Sequence, residues 1–319
     1  MRAKSPAPTP SIVVPSAARD LQLVNAWPAG RRRYVKRVAL ATCDKYPVLT
    51  EDDRALIAPL AARGITAEPA IWTDPVFLWN SFDAVVVRSC WDYHLKPAKF
   101  LQWMASLADV RLWNPPDMVR WNADKIYLRD LEQRGVEIVP TLWPEKGVTL
   151  GDELKRAGWS QAVVKPRISA TAYQTRLISG EDAESAQALL DELQRGPGAM
   201  VQMFVEEIAT RGEWSVIFFQ GEFSHAVIKR PKAGDFRVQN DFGGTSERAE
   251  PPAAVLDAAV KAVRAAGKVP LYARVDGVES GGRFLLMELE LIEPMLFLKS
   301  EAGAAERFAD AITKAIQAQ

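Results

Sequence analysis

Tyr272-Ala-Arg-Val-Asp-Gly277 and Phe284-Leu-Leu-Met-Glu-Leu-Glu-Leu-Ile-Glu-Pro294 decide the fold. Each reads as a strand, with Glu279-Ser-Gly-Gly282 as the turn signal between them. Strand alternation sets Arg274 and Asp276 on one face of the first, and Glu288 and Glu290 on one face of the second. The latter face is also expected to carry Phe284 and Leu286. Like charges gathered away from water repel unless a cation lies among them. Three carboxylates converging without His or Cys suit hard Mg²⁺ or Mn²⁺ rather than zinc. A plain hairpin, with Met287, Leu289 and Leu291 inward and the glutamates in solvent, fits the same letters equally well. The rest of the chain has to decide.

The chain has 319 residues, enough for two or three domains. Hydrophobic residues make up 48% and charged residues 25%, an ordinary globular composition. Forty basic residues balance forty acidic ones, which speaks against nucleic acid or an anionic membrane as partner. Cys43 and Cys90 cannot form a disulfide framework, and no apolar run is long enough for a membrane span. The first 35 residues, proline-rich from Met1 to Pro28, are expected to be a disordered or arm-like extension rather than a signal peptide. The cytoplasm is the expected setting. A homodimer or higher oligomer is compatible with all of this.

Val38 to Thr42 forms a buried-strand run. Thr50 then caps an expected helix with Leu56, Ile57 and Leu60 on one face, closed by Arg63-Gly64. Strands are expected over Ile65 to Ile71 and Ala84 to Arg88, and a helix opens at Pro97. The alternation implies a small parallel sheet covered by helices, the N-terminal α/β part of an α/β (α+β) fold. Ligands of open sheets collect beyond the strands' carboxyl ends. Arg88 and Ser89 lie at such an end and could grip a substrate carboxylate, with Trp91 and Tyr93 as walls. A loop pinned by an Arg88–Asp92 pair is the structural alternative.

Asn114-Pro-Pro116 reads as a linker, and Asn122 to Leu131 as a capped helix with Lys125 in its first turn, where a cation calls for an anion. Gln161 to Pro166 is an apolar strand ending in Lys165. The loop after it, Ile168 to Thr175, is rich in small and hydroxyl residues suited to phosphate oxygens. Met200 to Glu207 reads as a strand whose Glu206 and Glu207 could hold ribose hydroxyls. Gln220-Gly221 joins two strands, the second carrying His225 as a structural histidine. Lys229 to Phe242 is a basic loop able to close over an anionic ligand.

In this order the pieces resemble the ATP-grasp superfamily. The matching elements are Asn122-x-x-Lys125, Val163-Val-Lys-Pro166, Val201-Gln-Met-Phe-Val-Glu206, Arg237, Ala273-Arg-Val-Asp276 and Met287-Glu-Leu-Glu290. The chain looks most like the branch of glutathione synthetase-like, RimK-like and D-cycloserine-forming ligases; Arg88-Ser-Cys-Trp-Asp-Tyr93 is similar to a Ser-Thr-Trp-Asp-Tyr run of the last group. The resemblance implies an N-terminal Rossmann-like domain (residues 36–116) and an ATP-grasp domain (117–319). The latter would carry a mobile lid near 140–202 and a C-terminal antiparallel sheet. It implies phosphate contacts from Lys125, Lys165 and Ser169, an adenine hinge at Gln202, Met203 and Val205, and a ribose contact from Glu206. Asp276, Glu288 and Glu290 would hold Mg²⁺, Arg274 and Arg237 would be catalytic, and Arg88, Ser89 and Trp91 would bind substrate. Two departures stand out: Ser169-Ala-Thr-Ala where relatives are glycine-rich, and Glu290 where several have asparagine. The implied activity is ATP- and Mg²⁺-dependent ligation of a small carboxylate to an amine through an acyl phosphate, possible also within one molecule as in cycloserine formation. A small-molecule kinase and a catalytically silent nucleotide binder are the alternatives.

Overall fold

The computed structural model describes residues 35–239 and 242–318, which fall in one compact unit. Except for Val35, the expected N-terminal extension lies outside the described residues. The first part comprises β1 (Lys36–Thr42), α1 (Glu51–Arg54), α2 (Ile57–Ala62), β2 (Ile65–Ile71), β3 (Ala84–Ser89), α3 (Pro97–Ser106) and β4 (Arg111–Trp113). Its sheet is parallel in the order β2-β1-β3-β4. Val38–Ala41 and Ala84–Val87 are buried throughout, as strands covered on both faces require. Pro69, which has no N–H to give, sits in the edge strand β2. Thr50 caps as expected, its hydroxyl accepting from the Asp53 N–H. The single helix foreseen after it is in fact two. Pro59 cannot donate to a preceding turn, so the chain restarts a helix around it. The three-residue β4 went unread because it is too short for a pattern.

Next come α4 (Pro116–Asn122) and α5 (Tyr127–Gln133), then β5 (Thr141–Leu142), α6 (Leu150–Ala157), β6 (Gln161–Pro166), β7 (Arg176–Ser179), α7 (Ala183–Leu193) and β8 (Ala199–Met203). The four strands form an antiparallel sheet, β5-β8-β6-β7. Leu154 of α6 and Leu190 of α7 share a small core with Val164 and Val201. The remainder is α8 (Glu207–Thr210), β9 (Glu213–Phe219), β10 (Glu222–Arg230), β11 (Thr245–Arg248), α9 (Ala253–Ala265), β12 (Tyr272–Ser280), β13 (Arg283–Glu290) and α10 (Ala304–Gln317). Its antiparallel sheet runs β11-β10-β9-β12-β13. Phe308 and Ile312 of α10 bury with Val38 and Leu40 of β1 and with Ile217 and Phe219 of β9, so one core joins the parallel sheet to the central one.

The deciding hairpin is present, and its register pairs Arg274 with Glu290 and Asp276 with Glu288. One expectation fails there. Between Asp276 and Gly277 the register slips by one, leaving Met287 as an extra residue on β13. A bulge reverses the alternation beyond it. Phe284 and Leu286 therefore bury with Ala273, Val275 and Leu289 on the opposite face from the glutamates. The turn is also tighter than read, with Gly281 and Gly282 at positive φ between strands that run on to Ser280 and Arg283.

Two further expectations change. Asn122 ends α4 instead of capping a helix; its amide donates to the Leu289 carbonyl (2.8 Å) and accepts from the Leu291 N–H (2.9 Å). Lys125 thus sits in the turn before α5, locked to β13 by its neighbour. The supposed linker residue Asn114 is fully buried and bonded to the Tyr272 and Leu291 carbonyls and the Leu271 N–H.

Candidate active site

A cavity of about 230 Å³ opens where the three sheets meet. The end of β6 brings Lys165 into it, the turn before α5 brings Lys125, and the paired β12 and β13 bring Arg274, Asp276, Glu288 and Glu290. Ser169, Gln202, Met203, Val205, Arg237 and Trp91 line it too. Glu206 does not: β8 stops at Met203, and Glu206 is an exposed residue at the start of α8. Glu207, also expected in a strand, accepts from the Ser280 hydroxyl (2.8 Å).

Arg88 and Ser89 lie outside the lining as well. Arg88 is 1% exposed. Its guanidinium bonds Asp53 (2.9 Å) and the Pro294 carbonyl (2.6 Å), and lies 5.0 Å from the Tyr272 ring centroid. Ser89 and Thr42 share a hydroxyl bond of 2.8 Å across β3 and β1. Arg88 ties the parallel sheet to its surroundings, with Asp53 rather than Asp92 as its partner, while Ser89 links two strands within the sheet. Tyr93 is buried and, like Trp91, contributes to the cavity wall.

Charge is dense here and almost fully matched. Arg274 grips Asp276 through three contacts of 2.9–3.0 Å, also bonds Glu290, and donates to the Met295 carbonyl (3.0 Å). Lys125 bonds Glu288 and the Ser169 carbonyl (3.2 Å). Lys165 donates to Gln202 (3.0 Å), which in turn reaches Thr141. Burial pushes the Lys165 ammonium down to about 8, since Glu288 only partly offsets that penalty and Lys125 repels it. Burial raises Asp276, yet Arg274 and Lys229 outweigh it and hold the carboxyl at about 2. Glu290 is pushed up to about 7 by burial, against the pull of Arg274 and with Glu288 and Asp276 adding repulsion.

Lys229, expected to open a basic loop over the ligand, lies in β10 instead, and its partner Glu213 was not foreseen as a site residue; the two pair at 2.5 Å, with Lys229 also 3.4 Å from Asp276. A second bulge explains the omission. Ser224 is an extra residue on β10, so Lys229 faces Glu213 rather than the residue that simple counting from the Gln220-Gly221 turn would give. The Ser215 hydroxyl on β9 bonds Asp276 and also escaped notice. Phe236 and Met287 add apolar wall beside the Met203–Val205 segment.

No group of three or more His, Cys, Asp or Glu among the described residues forms a ready metal cage. Mg²⁺ seldom needs one: it takes one or two carboxylates and completes its octahedron with phosphate oxygens and water. Asp276 opposite Glu288, with Glu290 two pairs further along, supplies the all-oxygen donor set this demands. These residues fit Mg²⁺. His225 takes no part; it is buried and bonds the Leu296 carbonyl (2.9 Å). No helix among the described residues is long and apolar enough to cross a membrane.

Comparison with known proteins adds the following. Residues 38–114 match the family model described as D-cycloserine synthetase DcsG, N-terminal domain. The cycloserine biosynthesis protein DcsG of Streptomyces lavendulae is 34% identical over 269 residues, covering 80% of this chain and 90% of that protein. The crystal structure of D-cycloserine synthetase DcsG superposes with a TM-score of 0.80 at 30% identity, over 88% of this chain and 99% of the other. The D-alanine–D-alanine ligase of Bacillus anthracis gives a TM-score of 0.65 at 17% identity, over 88% and 97% of the two chains, and shares the fold.

Proposed function

The chain belongs to the ATP-grasp ligases, in the family of D-cycloserine synthetase, and from an enzyme that forms a C–N bond with ATP we propose a specific reaction. The γ-phosphoryl of ATP is moved onto the carboxylate of a small amino-acid-like substrate, and an amine then displaces the phosphate. The amine belongs either to a second molecule or to the same one, as the relative's cycloserine product suggests. ADP and phosphate leave, and the setting is cytoplasmic.

One observation carries this reading. Lys125, Lys165, Arg274, Asp276, Glu288 and Glu290 share one cavity whose described lining offers no nucleophile–base pair such as Ser–His or Cys–His. Phosphoryl transfer needs position and charge neutralisation rather than a covalent protein nucleophile, which is what such a set supplies. Lys165 and Lys125 hold nucleotide phosphates, and the backbone near Ser169 lies against them. Gln202, Met203 and Val205 face the adenine. Arg274 neutralises charge on the transferring group, and Arg237 approaches it from the loop after β10. Asp276, Glu288 and Glu290 would hold Mg²⁺, which would supply charge neutralisation at the phosphates. Residues 36–116 form the substrate-side domain, with Trp91 as its wall, and residues near 140–202 form the lid that keeps water from the acyl phosphate.

A panel of amino acids tests this through ADP release. Release should require one carboxylate substrate and speed up with its amine partner, and hydroxylamine should trap a hydroxamate when that partner is absent. ADP formation with a stable phosphorylated product would favour a kinase instead.

A further inference from the structure

Five carboxylates line the cavity: Glu213, Asp276, Glu288, Glu290 and Glu293. Four are matched by cations: Glu213 by Lys229, Asp276 by Arg274 and Lys229, Glu288 by Lys125, and Glu290 by Arg274. Glu293 is different. Among the described residues no side chain donates to its carboxylate, although its backbone carbonyl accepts from the Trp91 indole (2.9 Å). The cations whose fields reach it, Lys125 and Arg274, are already engaged by other carboxylates. Burial, with Glu290 adding repulsion, pushes the Glu293 carboxyl well above the usual carboxylate range.

An unmatched carboxyl against a largely buried wall is costly unless a ligand supplies its partner. The cavity's other unmatched charge is Lys165, which has no carboxylate partner among the described residues and bonds only the Gln202 amide. The two mark complementary demands: an anion beside Lys165 and a cation beside Glu293. ATP phosphates meet the first. An amino acid meets the second while still presenting a carboxylate to the phosphoryl group. The wall around Glu293 includes Trp91 and Tyr93, aromatic surface that suits an ammonium ion.

We propose that Glu293 is the receptor for the free ammonium group of the amino-acid substrate, with Trp91 and Tyr93 completing a cation subsite. The proposal rests on the ligase reading and makes that reading selective. A carboxylic acid whose amine is missing or acylated would leave Glu293 desolvated and unpaired, and would be rejected.

Calorimetric titration of the full chain in the presence of Mg²⁺ and ADP tests this, with D-cycloserine as the free-amine probe and N-acetyl-D-cycloserine as its blocked counterpart. The wild type should favour the free amine by about 10- to 150-fold, the range for one hydrogen bond to a charged group. Glu293→Gln should bring the two within about threefold while ATP affinity and Tm hold, and Glu293→Asp should restore part of the preference. Equal binding of both probes by the wild type, or an undiminished preference in Glu293→Gln, would overturn the subsite. Loss of ATP affinity in Glu293→Gln would overturn it too, by placing Glu293 with the metal carboxylates. Wild-type preference for the free amine without ADP release from any amino acid would uphold the subsite and discard the ligation reading.

Discussion

Lys165 and Arg88 are both cations at the ends of apolar strands, and their letters alone do not distinguish them. Their surroundings do. Lys165 faces the cavity with no carboxylate bonded to it among the described residues, and burial depresses its pKa to about 8. Lys165→Ala should therefore weaken ATP binding by about 1.5–3 kcal/mol, or 10- to 150-fold, measured by calorimetry, with unfolding free energy nearly unchanged. Arg88 is spent on Asp53 and the Pro294 carbonyl. Arg88→Ala leaves a buried carboxylate uncompensated and should lower unfolding free energy by about 3–5 kcal/mol. A well-folded Arg88→Ala enzyme with a raised KM for the carboxylate substrate would return this residue to the substrate site. The sequence signalled a charge at each strand end; only the partner, 35 residues upstream of Arg88, reveals which charge is structural.

At the scale of elements, the hairpin was legible because alternation and the Gly281-Gly282 turn are local signals. The faces beyond Met287 were not, because a bulge adds one residue without any composition of its own. The bulge also does something useful. It lets the consecutive residues Met287 and Glu288 both reach the cavity, one toward the apolar Met203–Val205 wall and one toward Lys125. Deleting Met287 should restore regular pairing and turn either the glutamates or the Phe284–Leu286 stretch to the wrong face. The variant is expected to lose ADP release altogether, and its Tm should fall. Retained turnover would mean the bulge is incidental. The Ser224 bulge hid the Lys229–Glu213 pair in the same way. The parallel sheet was legible from continuous apolar runs instead, and its own slip, which leaves Arg88 as an extra residue near the end of β3, was equally silent in the sequence.

The whole molecule is joined by α10, whose burial against both the parallel and the central sheet no sequence pattern announced. His225 sits near this junction, bonded to Leu296, with its pKa pushed down to about 4 by burial. A histidine depressed from 6.5 favours the folded state fully above pH 6.5, and that contribution is lost as pH falls toward 4. The difference is on the order of 3 kcal/mol. Denaturant unfolding should show stability dropping across this window, with a shallower drop in His225→Gln; parallel pH profiles for the two proteins would remove His225 as the cause.

The central claim is that the carboxylate is activated by the γ-phosphoryl group, and the fate of its oxygen tests this most directly. With a substrate labelled with ¹⁸O in the carboxylate, one labelled oxygen per turnover should appear in inorganic phosphate, because displacement of an acyl phosphate carries that oxygen away with phosphorus. Label in AMP, or in neither phosphate nor AMP while the C–N bond still forms, would contradict it.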